Sequence, residues 1–235
     1  MEKFSLKIFP VAILLIVGLS SCKKSEVNKE VYIDSYVHSI FDRTGVPVYN
    51  VMHTAYSFTK LSAVSVTGSS GTTITLDNFS NGYSFYNPVG DSTAYKPVPP
   101  DPETFTYNIT YDNGETATKT DATVAKYLLP AQQVKAQKDS SNIVLSWLQV
   151  ANADAYKVRI FRQDANADTN TLIYESDFLV PKDATVSPSI PFSLVSLSQY
   201  LTTDLSFEVS AFIFEQNKDT YQAVSEATFK GYFGN

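Results

Sequence analysis

From Val31 to about Leu129, apolar and polar positions alternate in short runs separated by turn residues. A period of two places successive side chains on opposite faces of a strand. It predicts strands over Val31–Ser39, Val48–Phe58, Leu61–Thr67, Thr73–Phe79, Gly82–Asn87, Thr104–Tyr111 and Glu115–Thr120. Leu61, Val64 and Val66 stand against Ser62, Ser65 and Thr67, with one slip at Ala63. The clearest hairpin joins Thr104–Tyr111 to Glu115–Thr120 through Asp112-Asn113-Gly114. There Asn-Gly is expected to supply the two positive-φ residues of a type I′ turn. The stretch from Pro88 to Pro102, with its Pro99-Pro100 pair, is excluded from a central strand because proline offers no ladder donor. It is expected to be a loop or an edge connection.

A second unit begins near Pro130. Ile143, Leu145 and Trp147 alternate with Val144, Ser146 and Leu148, and Tyr156, Val158 and Ile160 share one face of the next run. Leu205, Phe207, Val209, Ala211 and Ile213 form a five-position apolar comb, and Tyr221 to Phe229 closes the unit. Long runs at helical spacing are missing, while threonine, valine and aromatics fill the periodic segments, so the fold class is all-β.

The seven short strands of the first unit suggest an immunoglobulin-like β-sandwich. In the second, Ile143–Trp147, Asp154–Phe161 and Leu205–Ala211 resemble strands B, C and F of a fibronectin type III domain. The markers are the tryptophan on B, the Tyr-x-Val-x-Ile comb on C and the apolar comb ending in alanine on F. The likeness spans about Pro130 to Tyr232 and departs at the corner tyrosine, where Leu205 stands. Two β-sandwich domains are therefore expected, at residues 30–129 and 130–235. Such folds host binding, spacing and adhesion, so the fold alone does not name a function.

Ahead of both units lies a different pattern. Lys3 and Lys7 precede an apolar run from Ile8 to Leu19, and small residues follow. This is the layout of an export signal, and the run is shorter than the roughly 20 apolar residues that cross a bilayer. Leu19-Ser20-Ser21-Cys22 resembles the lipobox of bacterial lipoproteins, with the chain's one cysteine at the obligatory position. The resemblance implies removal of residues 1–21, acylation of Cys22 and a lipidated tether over 22–29. Several acyl chains on one residue suffice for stable anchoring. Ser-Cys-Lys-Lys looks like the opening of outer-membrane lipoproteins of the Bacteroidota, whose surface-export signal puts acidic residues soon after the cysteine. Glu26 alone supplies one here, which favours the cell surface over the periplasmic face.

Composition narrows the partners. Removal of the leader takes away two lysines and one glutamate, so the formal charge moves from −6 to −7. An acidic chain gains nothing from phosphate counterion release, which argues against nucleic acid. The expected partners are the membrane, through lipid on Cys22, and a glycan or a protein.

Candidate chemistry is sparse. Asp164, Asn166, Asp168, Asn170 and Glu175 occupy positions 1, 3, 5, 7 and 12 of an EF-hand-like loop. Thr169 stands where that loop needs glycine and the flanks read as strands, so a polar loop is expected over a Ca²⁺ site and no metal is assigned. His38 and His53 have no ligand spacing, Gly68-Ser69-Ser70-Gly71 reads as a hairpin turn, and neither a cofactor nor catalysis is expected. Trp147 reads as a core residue. Tyr83 and Phe85 share one strand face and Tyr86 takes the other, which makes the three a candidate binding patch. Phe212 and Phe214 point away from the comb and form a candidate interdomain or recognition patch. The expected role is non-catalytic binding, adhesion or assembly, with a carbohydrate-binding accessory lipoprotein of a glycan-uptake system as the alternative. An exposed aromatic platform beside polar side chains would favour the alternative. The anchor has a direct check: a palmitate analogue should label the wild-type protein in cells, and Cys22→Ala should lose both label and membrane retention.

Overall fold

A computed structural model describes residues 29–87, 94–139, 141–163, 170–192, 205–216 and 220–231. Within these residues the chain is all-β. The first unit contributes β1 (Val31–Phe41), β2 (Pro47–Ser57), β3 (Leu61–Gly68), β4 (Thr73–Thr75), β5 (Asp77–Asn78), β6 (Ser84–Tyr86), β7 (Thr104–Tyr111) and β8 (Thr116–Ala122). The second contributes β9 (Lys135–Asp139), β10 (Asn142–Leu148), β11 (Ala155–Gln163), β12 (Asn170–Glu175), β13 (Thr185–Val186), β14 (Ser189–Pro191), β15 (Leu205–Phe214) and β16 (Tyr221–Gly231).

In the first unit β1-β2-β6-β5 face β4-β3-β7-β8. This divides strands as an immunoglobulin-type sandwich does, with A, B, E and D against C′, C, F and G. Alternation builds the core: Phe105, Tyr107, Ile109 and Tyr111 of β7 point inward onto Val31, Ala55, Leu61, Val64 and Val66. The run expected as one strand over Thr73–Phe79 is divided. β4 pairs with β3 and β5 pairs with β6, so the chain changes sheets at Leu76, which is buried and donates its N–H to Val64 O. The β7–β8 hairpin is present, but its turn is not type I′. Tyr111 pairs with Glu115 across a three-residue loop in which Gly114 alone is left-handed, at φ 84°. A three-residue loop needs one left-handed position, which glycine takes without strain.

The second unit sets β9-β10-β13/β14 against β12-β11-β15-β16. That is the fibronectin type III arrangement, A-B-E over C′-C-F-G. Pro188 separates β13 from β14, two halves of one interrupted strand beside β10. Trp147 is fully buried in this core and meets Tyr156 edge-on at 5.4 Å. The β9, β12 and β13/β14 strands lack alternation, and the residue pattern did not announce them.

The two units are not beads on a string. β1 of the first pairs in parallel with β16 of the second, in the register Val37↔Ala223 through Ile40↔Glu226. The sheet is therefore one eight-stranded sheet, β12-β11-β15-β16-β1-β2-β6-β5, shared by both sandwiches. The connecting segment is tied to the seam: Ser39 Oγ donates to Leu128 O at 2.6 Å, and Leu128 is buried in the second core. Each unit thus covers an edge that it would otherwise expose, and exposed edges invite pairing with other chains. A fragment covering 128–235 should melt cooperatively on its own core yet self-associate through the bared edge of β16. Sedimentation velocity checks this, and Val224→Pro, which removes an N–H that faces the bared edge, should shift the fragment back toward monomer.

Candidate functional site

The register assigns each side chain of the shared sheet to one face. Opposed residues lie on the same side, so Val31, Ser35, Ala55 and Phe85 point into the first core. Tyr32, Asp34, Tyr36, His38, Thr54, Tyr56, Ser84 and Tyr86 then share the outer face. On the second unit the same face carries Lys157, Arg159, Glu208, Ser210, Phe212, Val224 and Glu226. Among the described residues no small sheet covers this face.

One end of it is aromatic and open. Tyr32, Tyr56 and Phe58 are 46%, 42% and 63% exposed. Their ring centroids lie 5.1 Å (Tyr56–Phe58) and 6.3 Å (Tyr32 to each of the others) apart. Beside them Phe79 and Tyr86 pair at 4.8 Å. Thr54 and Ser84 supply polar positions among the rings.

A second aromatic cluster lies across the seam. Phe178, which follows β12, meets Phe212 and Phe214 at 5.2 Å each. Tyr221 touches both phenylalanines and reaches Tyr36 of β1 at 5.7 Å. Lys157 Nζ stands 4.8 Å over the Phe178 ring, a cation–π contact.

Next to these rings a polar chain crosses five strands. Lys157 and Arg159 hold the two oxygens of Glu175 at 3.0 and 2.7 Å, and Arg159 reaches Glu208 at 2.9 Å. Glu208 is hydrogen-bonded to Glu226, which demands a proton between the two carboxylates. Glu226 meets His38 Nε2 at 3.3 Å across the seam, and His38 Nδ1 lies 2.6 Å from the Tyr95 hydroxyl. Burial, then the charge of Glu226, pushes that phenol up to about 12, so the Tyr95 hydroxyl stays protonated beside Nδ1. The carboxyl of Glu208 is raised, first by burial and then by the charge of Glu226. Burial pulls Glu226 the same way, but His38, Glu208 and Arg159 outweigh it and leave it lowered. These groups satisfy one another, and Glu208 and His38 among them are buried, so their geometry serves cohesion across the seam.

The residues singled out from sequence are dispersed by this geometry. Phe85 is 3% exposed and belongs to the first core, so Tyr83, Phe85 and Tyr86 do not make one patch. Tyr86 joins Phe79 on the outer face, while Tyr83 lies in the bend ahead of β6. The physical reason is register: Ala55↔Phe85 turns Phe85 inward. Phe212 and Phe214 do share a cluster, but Phe212 is only 6% exposed, under Phe178 and Tyr221. Cys22, Asp164, Asn166 and Asp168 lie outside the described residues. Asn170 opens β12, and Glu175 is engaged by Arg159 and Lys157. Tyr32, Tyr56, Phe58, Phe79 and Phe178 were missed. For Tyr32 and Tyr56 the signal was present: each sits on the outward beat of a strand whose inward beat is apolar.

A cleft of about 970 Å³ opens at the junction, between the connecting segment and the β10–β11 turn, with Tyr127, Leu129, Leu148 and Phe214 on its walls. Among the described residues no group of three histidine, cysteine or acidic side chains could hold a metal.

The buried carboxyls make stability depend on pH. Asp34, on the seam and accepting the Tyr221 N–H at 2.9 Å, is raised from 3.8 to about 7. Burial is the main cause, helped by the charges of Asp121 and Glu215. A carboxyl raised by folding stabilises the fold fully below its unfolded value, and that stability is lost as pH rises through the folded value. The loss should therefore run between about pH 4 and about pH 7. His53, lowered by burial from 6.5 to about 4, acts in the other direction and loses its contribution as pH falls through that window. Above pH 6.5 the opposing contribution of His53 is complete, so Tm should drop as pH rises from 6.5 through about 7. Asp34→Asn with Glu208→Gln should flatten that drop in thermal scans.

No family model and no curated relative matches the chain. Solved structures with a similar β arrangement include a candidate carbohydrate-binding protein from Bacteroides uniformis, 13% identical, with a TM-score of 0.34 over 84% of this chain and 98% of that one. The chicken CNTN1 FN1–FN3 domains are also 13% identical, with a TM-score of 0.29 over 86% of this chain and 64% of that one. A bacterial ice-binding adhesin is 15% identical, with a TM-score of 0.26 over 88% of this chain and 66% of that one. At these values the likenesses concern β architecture and carry nothing further.

Proposed function

We propose that this protein is a non-catalytic carbohydrate-binding lipoprotein, anchored through Cys22 in the outer membrane with its sandwiches at the cell surface. The observation that carries the binding role is the Tyr32–Tyr56–Phe58 cluster: three rings in mutual contact, each more than two-fifths exposed, on the open face of a sheet. Aromatic rings left in water on a rigid strand scaffold are costly unless something covers them. Flat π faces suit the C–H-rich face of a sugar ring, and the tyrosine hydroxyls with Thr54 and Ser84 suit its rim. The titratable groups on the same face are engaged with one another, which supports binding without chemistry.

The test uses the full mature chain with Cys22→Ala, which removes only the acylation site. On a glycan array it should retain a set of oligosaccharides. Tyr56→Ala and Phe58→Ala, each at an exposed position, should weaken that binding tenfold or more while leaving Tm within about 2 °C, as surface substitutions do. An array with no hits, or hits indifferent to both changes, would sink the reading.

A further inference from the structure

We propose that the two aromatic clusters of the shared sheet are subsites of one extended site, and that its ligand is a linear, uncharged glycan chain laid across the seam between the sandwiches. This rests on the carbohydrate reading above and specifies its ligand.

The key element is β1, which carries one tyrosine for each cluster. Tyr32 contacts Tyr56 and Phe58, and Tyr36 contacts Tyr221, which continues to Phe214 and Phe178. Both tyrosines are on the outer beat of the strand, four residues and therefore about 13 Å apart. The β1 strand pairs with β2 on one edge and β16 on the other, so the spacing is set within one hydrogen-bonded sheet. A ligand long enough to touch both clusters gains its second contact intramolecularly, and such contacts multiply affinity. A short ligand reaches one cluster only.

The surface between the clusters argues for the occupant. Half-buried Thr54 lies on the same face between the aromatic groups, opposite the buried Asp34, so the apolar area is two islands interrupted by a polar position. A protein partner is better served by one continuous apolar core with a polar rim. A sugar chain offers ring faces at intervals and hydroxyls between. Charge excludes the acidic polymers. Lys157 and Arg159, the cations beside Phe178, are closed on Glu175 and Glu208. The chain as a whole carries −6. An anionic chain would meet like charge, and a neutral one would not.

The experiment measures affinity against chain length with the full mature chain carrying Cys22→Ala. Linear gluco-, manno- and xylo-oligosaccharides from disaccharide to hexasaccharide are titrated by calorimetry. For the class that binds, the hexasaccharide should bind at least tenfold more tightly than the disaccharide. Phe178→Ala, at an exposed ring, should cut hexasaccharide affinity about tenfold and leave disaccharide affinity unchanged, so the short ligand reports that the fold is intact. Tyr56→Ala should weaken both. If affinity does not grow with length, or if Phe178→Ala changes nothing, the extended site is overturned while the Tyr32–Tyr56–Phe58 reading stands. A change in oligomeric state on Phe178→Ala would make that cluster a contact between copies and overturn the proposal as well. If no chain of any length binds, both readings fall together.

Discussion

The parallel pairing of β1 with β16 is the contact on which the rest of this molecule depends. Four register pairs, Val37↔Ala223 to Ile40↔Glu226, turn two sandwiches into one body with a common eight-stranded sheet. Without it each sandwich would end on an open strand edge, a liability that proteins manage by covering. Here the covering is reciprocal. The lower part of the same β1 edge is guarded differently, by side chains of β8: Lys119 donates to Val31 O, and Asp121 accepts the Ser35 N–H. One strand thus serves three neighbours, with β2 along its other edge.

The seam also explains an unusual feature of β15, a strand buried on both faces along nearly its whole length. Its inward comb packs on Trp147 in the ordinary way. Its outward beat, Ser206, Glu208, Ser210 and Phe212, is buried as well, and three of those four residues are polar. Burying Glu208 unpaired would be costly, so it comes with Arg159, Ser210 and a proton shared with Glu226. The chain then continues over the seam through His38 to Tyr95, which lies in the proline-punctuated segment. That segment therefore has a structural duty: Tyr49 and Lys96 exchange backbone hydrogen bonds, which lays Tyr95 against His38. Both aromatic clusters lie ahead of His38 along β1, through Tyr32 and Tyr36, so the strand that joins the sandwiches also fixes the distance between them.

Much of this was legible in the residues, and the limits are instructive. The all-β class follows from period-two alternation, because alternation is dictated locally by the geometry of a strand, and the sandwich type of the second unit from its resemblance to fibronectin type III strands. The hairpin at Asp112–Gly114 was legible for the same reason, and its turn type was missed because loop length, set by pairing, decides which position must be left-handed. β9, with Lys135, Lys138 and Asp139 among its five residues, gave no pattern since an edge strand with exposed side chains has nothing to alternate against. The division of Thr73–Phe79 at Leu76 was equally silent, because a continuous strand and one that changes sheets have the same local sequence.

The sequence by itself determined which side chains are inward and outward on the strands whose residues alternate, where the export leader resembles a lipoprotein's, and that Trp147 belongs to a core. It also contained the outward tyrosines of β1 and β2. Only the tertiary structure decided which outward faces meet. Phe85 and Tyr86 are neighbours in the chain and were separated into core and surface by one register, while Tyr36 and Tyr221 are 5.7 Å apart because a strand of one sandwich pairs with a strand of the other. That pairing is made by backbone groups, which every residue carries alike. No side-chain pattern encodes it, and the placement of the aromatic clusters on one continuous face follows from it.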